Sequence, residues 1–254
     1  MIKLIQGDCL IEMDKLIEKG IIVDAIITDP PYGITACKWD SIIPFDEMWK
    51  RLNKLIKSNG AIVLFGSEPF SSYLRISNIK NYKYDWIWEK TVASNFALSN
   101  KQPHKKHEVI SIFYKKQPNY NPQMMDGKPY IDVRKNNYRR SISVNDNNSL
   151  VKKPIYNKGT RYPFSVIKYS NGNNKRFHPT QKPIPLMEYL VRTYTNESET
   201  VLDFTMGSGS TLLACRNTNR NGIGIELDKG YFEIAKKRVS KPELFNRSEQ
   251  CKTQ

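Results

Sequence analysis

The chain has 254 residues, 39% of them apolar and 26% charged, with a formal net charge of +15. These are globular values that fit one α/β domain carrying an insertion, or one large domain and a small one. No run of about 18 apolar residues occurs, and Met1-Ile2-Lys3-Leu4 enters a strand-like pattern rather than a signal peptide, so a cytoplasmic protein without a membrane span is expected. The cysteines Cys9, Cys37, Cys215 and Cys251 have no ligand spacing, and His104 and His107 have no cysteine or acidic cluster beside them. This suits a reducing compartment and a protein without a metal site.

Residues 2–6 alternate as a strand, and Gly7-Asp8-Cys9 turns out of it into a helix whose Leu10, Met13, Leu16 and Ile17 share a face. The apolar run 23–28 reads as a buried strand, stopped by Asp29-Pro30-Pro31-Tyr32. Neither proline can donate a ladder hydrogen bond, and Pro31 holds the residue before it extended. The result is a rigid turn at the carboxyl edge of a sheet, where open α/β folds bind ligands. Such a turn suits a planar group with an exocyclic amine: the Asp29 carboxylate and Pro30 carbonyl accept its hydrogens, and Tyr32 stacks on its face. Taken alone, the same four residues equally describe a loop in which Asp29 caps the next element.

A helix over 45–57, a strand over 61–65, a helix over 69–79 and strands over 84–89 and 108–114 follow. Helices alternating with short buried strands predict a mostly parallel, doubly wound sheet. The pattern then breaks. Residues 101–176 hold 17 Lys and Arg against 4 Asp and Glu, leaving only +2 of the net charge for the rest of the chain. Tyr120, Tyr130, Tyr138, Tyr156, Tyr162 and Tyr169 are interleaved among these bases. Cations neutralise phosphates and aromatic rings stack on unpaired bases, so 116–176 reads as an inserted nucleic-acid-recognition region, with 136–148 a mobile loop.

Regular structure returns after His178-Pro179-Thr180-Gln181-Lys182-Pro183, with a helix carrying Leu186, Met187, Leu190 and Val191 on one face. A strand over 200–204, a helix over 212–218, a strand over 222–226 and a helix over 231–239 close the domain, and 240–254 is a polar tail. Between the first strand and helix of this group stands Asp203-Phe204-Thr205-Met206-Gly207-Ser208-Gly209. The glycines let backbone approach a ligand at a helix N-terminus, and Glu226, ending the next strand, is placed to accept from ribose hydroxyls. A dinucleotide fits poorly, because the third glycine of the fingerprint is replaced by Leu212. Asp203 suits an ammonium better than a pyrophosphate, which favours S-adenosylmethionine over NAD.

Taken together, these segments resemble the S-adenosylmethionine-dependent amino-methyltransferases of adenine N6 or cytosine N4 in DNA, in the permuted order called the β class. Asp29 to Tyr32 is similar to the catalytic motif, and Asp203 to Gly209 to the cofactor loop. Glu226 resembles the ribose-binding acid, and Gly7-Asp8-Cys9 the motif near the cofactor's adenine. His178 to Pro183 is similar to the segment contacting the methionine carboxylate, with Thr180 supplying a hydroxyl and Lys182 a charge. One departure is Asp203-Phe204-Thr205, where many members have Asp-Pro-Phe.

The resemblance implies a Rossmann-like methyltransferase domain over 1–115 and 177–240, an inserted DNA-recognition region over 116–176 and a tail over 241–254. It implies strand 2–6 beside strand 222–226 and strand 23–28 beside strand 200–204, with double-stranded DNA as substrate and the target base flipped out of the duplex. Asp at position 29 goes more often with adenine, and Ser with cytosine. The segment 33–39 reads as a lid over the base. A homodimer and a cognate restriction endonuclease are open as partners. The rivals are a catalytically silent nucleic-acid-binding protein of the same fold and a methyltransferase of RNA amines.

Overall fold

The computed structural model describes residues 1–33, 40–132, 155–171 and 181–240. Residues 34–39 of the expected lid 33–39, the loop 136–148, His178, Thr180 and the tail from 241 therefore lie outside the described residues. In chain order the elements are β1 (Ile2–Gln6), α1 (Cys9–Glu18), β2 (Val23–Thr28), α2 (Phe45–Leu55), β3 (Ile56–Gly66), α3 (Phe70–Ser77), β4 (Tyr82–Ser94) and β5 (Lys105–Phe113). Next come the short strands β6 (Met125–Asp126), β7 (Tyr130–Asp132), β8 (Ile155–Asn157), β9 (Thr160–Arg161) and β10 (Val166–Tyr169). The chain continues with α4 (Ile184–Tyr194), β11 (Thr200–Asp203), α5 (Ser210–Asn217), β12 (Asn221–Glu226) and α6 (Lys229–Ser240).

Eight strands form one sheet in the order β1-β12-β11-β2-β3-β5-β4-β10. As expected, β1 runs parallel to β12, and β11 parallel to β2 with Val201 opposite Ala25 and Leu202 opposite Ile26. Only β5 runs against its neighbours β3 and β4. Strand side chains alternate between faces, and both faces are apolar. Ala61, Val63 and Phe65 of β3 join Leu186, Met187, Leu190 and Val191 of α4 in one core. Ile62 and Leu64 join Met13 and Leu16 of α1 and Met48, Trp49, Leu52 and Leu55 of α2 in the other. A sheet covered on both sides needs strands apolar at nearly every position, which is how β2 reads in sequence.

From β11 the chain crosses through α5 to β12 on one side, and from β2 through α2 to β3 on the other. The carboxyl ends of β2 and β11 therefore stand side by side where the crossovers diverge, the place at which doubly wound sheets leave a crevice.

The second compact unit spans Pro122–Phe164. It is built of two antiparallel pairs, β6 with β9 and β7 with β8. Arg161 organises it, donating 2.5 Å to the Lys128 carbonyl and stacking its guanidinium 4.5 Å from the Tyr130 ring centre. Tyr156, Tyr162 and Phe164 are left exposed. The expected insertion ran to residue 176, but β10 pairs parallel with β4 and Ile167 is buried in the main core. The main sheet thus takes back chain from Ser165 onward. Four residues are too short a strand for periodicity to reveal among basic neighbours.

Candidate active site

The proline turn is held from three directions. The Asp40 carboxylate accepts from the backbone N–H groups of Tyr32 (2.8 Å) and Gly33 (2.9 Å). The Tyr32 ring packs 5.0 Å from Phe70 at the start of α3. From the other half of the chain, Thr205 donates its hydroxyl to the Asp29 carbonyl at 3.1 Å and lies 2.7 Å from the Thr28 hydroxyl. Thr205 belongs to the segment that departs from Asp-Pro-Phe, and here its hydroxyl ties the glycine loop to the proline turn.

Both oxygens of Asp29 are engaged. Tyr32 donates its hydroxyl to Oδ1, and the Lys182 ammonium donates to Oδ2 at 2.6 Å. Lys182 is only 7% exposed, and its ammonium also stands 3.1 Å from Glu108 Oε2 on β5. Glu108 is paired in turn with Lys90 of β4 at 2.5 Å. Burial raises the Asp29 carboxyl above the ordinary carboxylate range, with Lys182 pulling it partly back and Glu108 adding to the rise. Burial also works to raise Glu108, but Lys182 and Lys90 outweigh it and the net shift is downward. For Lys182, burial disfavours the charge, yet Asp29 and Glu108 more than offset that and hold it protonated. The Tyr32 phenol is pushed well above its usual value by burial and by Asp29, so it stays a donor. Lys182 was expected at the cofactor's carboxylate; its ammonium is instead occupied at the proline turn.

Asp203 ends β11 beside Thr28, and it is buried. It accepts from the Thr28 hydroxyl (2.5 Å), the Thr211 hydroxyl at the start of α5 and the Thr205 N–H (3.2 Å). No cation pairs with it among the described residues, and burial pushes its pKa up to about 6 against the pull of Thr211 and Thr28. After it the backbone turns through the left-handed region at Gly207 (φ 51°) and Gly209 (φ 80°), where a side chain is strained. Gly209 is the cap from which α5 starts. Arg238 of α6 reaches back to the carbonyl and hydroxyl of Ser208, fixing the loop. Glu226 Oε2 accepts from the Gly207 N–H at 2.9 Å and Oε1 from the Asp228 N–H at 2.8 Å. Burial raises its pKa, opposed by those two N–H groups.

Asp8 caps α1, accepting from the N–H groups of Leu10 (2.9 Å) and Ile11 (3.2 Å). The neighbouring Cys9 thiol is pushed up to about 12 by burial and by Asp8, so it stays protonated.

A single cavity of about 800 Å³ is lined by Asp8, Cys9, Asp29, Pro30, Pro31, Tyr32, Lys182, Asp203, Gly207, Ser208 and Glu226. The two sequence-distant loops therefore open onto the same space. Gly209 stands behind it, against Ala235 of α6. His178 and Thr180 fall outside the described residues. Sequence reasoning missed Thr28, Asp40, Lys90, Glu108, Thr205 and Thr211. Of these, only Thr28 and Thr205 carried a signal, each standing next to or within a motif; Lys90, Glu108 and Thr211 sit on strands and a helix, and Asp40 in a loop, where the local pattern says nothing of their partners.

The DNA methylase family of N6 and N4 enzymes matches residues 23–237. The Type II methyltransferase M.HpaI of Haemophilus parainfluenzae is 30% identical over 232 residues, covering 85% of this chain and 68% of that protein. The crystal structure of an M1.HpyAVI–SAM complex is 28% identical with a TM-score of 0.63, covering 94% of this chain and all of that one. The cytosine-N4-specific PvuII DNA methyltransferase shares the fold, with a TM-score of 0.65 at 17% identity over 94% of this chain and 86% of its own. With its family match spanning both loops and most of the sheet that joins them, the chain belongs to the N6/N4 DNA methylase family.

Proposed function

We propose that this protein transfers a methyl group from S-adenosylmethionine to the N6 amine of an adenine flipped out of a specific DNA site. The observation that carries the reading is the convergence of Asp29 and Asp203 from adjacent strand ends onto one cavity, bridged by the Thr205 hydroxyl.

The cavity suits the cofactor. Ser210 Oγ is buried in its lining without a hydrogen-bond partner among the described residues, which is costly unless a ligand satisfies it. Glu226 keeps lone pairs beyond its two backbone bonds, free for ribose hydroxyls. Gly207, Ser208 and Gly209 let backbone approach, and Asp203 holds the loop and places negative potential beside an ammonium. Asp8 and Cys9 lie where β1 ends, next to the adenine side implied by the family resemblance. S-adenosylmethionine, when bound, supplies a sulfonium methyl open to direct displacement by an amine nitrogen.

The protein's share is positioning and electrostatics. The Asp29 carboxylate and the Pro30 carbonyl accept the two amine hydrogens, which turns the nitrogen lone pair toward the methyl and stabilises the positive charge that grows on nitrogen. Tyr32 holds Asp29 through its hydroxyl and offers its ring to the base. A duplex base cannot reach this recess, so it must leave the stack. The basic, tyrosine-bearing unit 122–164, with Tyr156 and Tyr162 exposed, supplies DNA contacts of the phosphate and stacking kinds. Asp rather than Ser at position 29 supports adenine over cytosine.

Incubation of the protein with methyl-tritiated S-adenosylmethionine and duplex DNA, and in parallel with RNA, followed by digestion to nucleosides, tests the reading. Label in N6-methyldeoxyadenosine is expected. Label in N4-methyldeoxycytidine would move the target to cytosine, and label in RNA alone would remove DNA as the substrate.

A further inference from the structure

We propose that Glu108 is a positioning residue for methyl transfer: it shares the Lys182 ammonium with Asp29, and so leaves Asp29 a stronger acceptor for the target amine than a one-to-one ion pair would. The proposal rests on the assignment of Asp29 above.

The arrangement is a buried row of alternating charge, Asp29–Lys182–Glu108–Lys90, with contacts of 2.6, 3.1 and 2.5 Å. All four side chains are under 20% exposed, and all four line the cavity. A buried carboxylate bonded to one ammonium is stabilised as the anion, but its lone pairs are spent on that partner. Glu108 draws on the same ammonium from the opposite side. Its contact with Lys182 is ionic and leaves Oε2 without an aligned hydrogen bond among the described residues, so its pull acts through charge. Glu108 has two cations and Asp29 has one; of the two acids, Asp29 is the less neutralised and the one next to the prolines. Lys90 limits the pull, because it takes up part of Glu108's charge.

Among the described residues, other titratable groups also face this row. Tyr32 and Asp203 face Asp29, Asp40 faces Tyr32, and Lys105 stands near Glu108 with Glu68 beyond it. Tyr32 stays neutral through the working range. Asp203, pushed up to about 6 mainly by its own burial, is left in place in both variants, so opposite displacements of their limbs report on the row.

The two ends of the row make opposite predictions. Glu108→Gln leaves Lys182 wholly to Asp29, so the Asp29 carboxyl becomes more acidic and a weaker acceptor. Lys90→Met frees more of Glu108's charge for Lys182, so the Asp29 carboxyl becomes less acidic. Single-turnover methyl transfer by the full chain on duplex DNA, measured from pH 5 to 9, reads both. For Glu108→Gln the acid limb should move down by roughly 0.5–1 pH unit and the plateau rate fall on the order of tenfold, with Glu108→Asp restoring part of the rate. For Lys90→Met the limb should move up. S-adenosylmethionine affinity should stay within about threefold in both, since neither residue is assigned to the cofactor. A merely structural role would slow both variants without moving their limbs apart. Coincident limbs, or limbs displaced in the same direction, overturn the proposal. If Glu108→Gln does not fold, the direction of the Lys90→Met shift decides alone. Should Asp29→Asn keep full activity, the reading of the proline turn fails first; should it be inactive while the limbs coincide, only the role of Glu108 is lost.

Discussion

Asp29 and Asp203 end neighbouring strands of one sheet, face one cavity and are both largely buried, yet they are built for different work. Asp29 is bonded to an ammonium and a phenol, groups that hold it ionised and leave it inside a charged row. Asp203 is bonded to two threonine hydroxyls and a backbone N–H, with no cation, and its pKa is pushed up to about 6 by burial. The first is a carboxylate set between fixed donors, suited to the acceptor role proposed for it. The second is a carboxylate spent on holding a loop, its charge left uncompensated until a cation arrives. The sequence already set them apart, Asp29 before two prolines and Asp203 before two glycines; the structure adds the partners each one has.

Four changes break or sharpen that contrast. The largest effect belongs to Asp29→Ala, which should lower methyl transfer by about 10³-fold or more with S-adenosylmethionine affinity by calorimetry nearly unchanged; an active variant would remove Asp29 from the chemistry. Asp203→Ala should instead act on folding and on the cofactor, destabilising the protein by on the order of 2–3 kcal/mol in denaturant because the hydroxyls of Thr28 and Thr211 lose their acceptor, and weakening cofactor binding more than Asp29→Ala does.

The third is a pH effect. Because the folded pKa of Asp203, about 6, lies above the unfolded value of about 3.9, the acid favours folding when protonated. That contribution is present below pH ~4 and is lost as pH rises through 6. Ligand-free wild type should therefore lose stability relative to Asp203→Asn between pH 4 and 7, by about 2 kcal/mol, read as diverging melting curves. Parallel curves would mean the site is not as desolvated as its geometry indicates. The smallest effect is that of Thr205→Val, which removes the hydroxyl linking the two loops. A loss of about 1 kcal/mol in stability and a several-fold fall in rate are expected, with Thr205→Ser restoring both.

Much of the frame was legible along the chain. The run 23–28 reads as a strand because β-branched residues fill it and two prolines stop it, and both signals are local. The glycines of 207–209 mark a turn because left-handed backbone excludes most side chains. Even the adjacency of β2 and β11 followed once two ligand loops had to meet. The position of β10 did not, since four residues inside a basic stretch carry no usable period and only the free edge of β4 defines their place.

The sequence by itself determined the strands, the turns that end them and the kinds of residue those turns present, because each depends on backbone preferences and burial patterns over a few neighbours. Tertiary structure alone decided which partners each acid has. Asp29 and Lys182 are 153 residues apart, Thr28 and Asp203 are 175 apart, and the acidity and reach of a buried carboxylate depend on whichever donors and charges stand within a few ångströms of it.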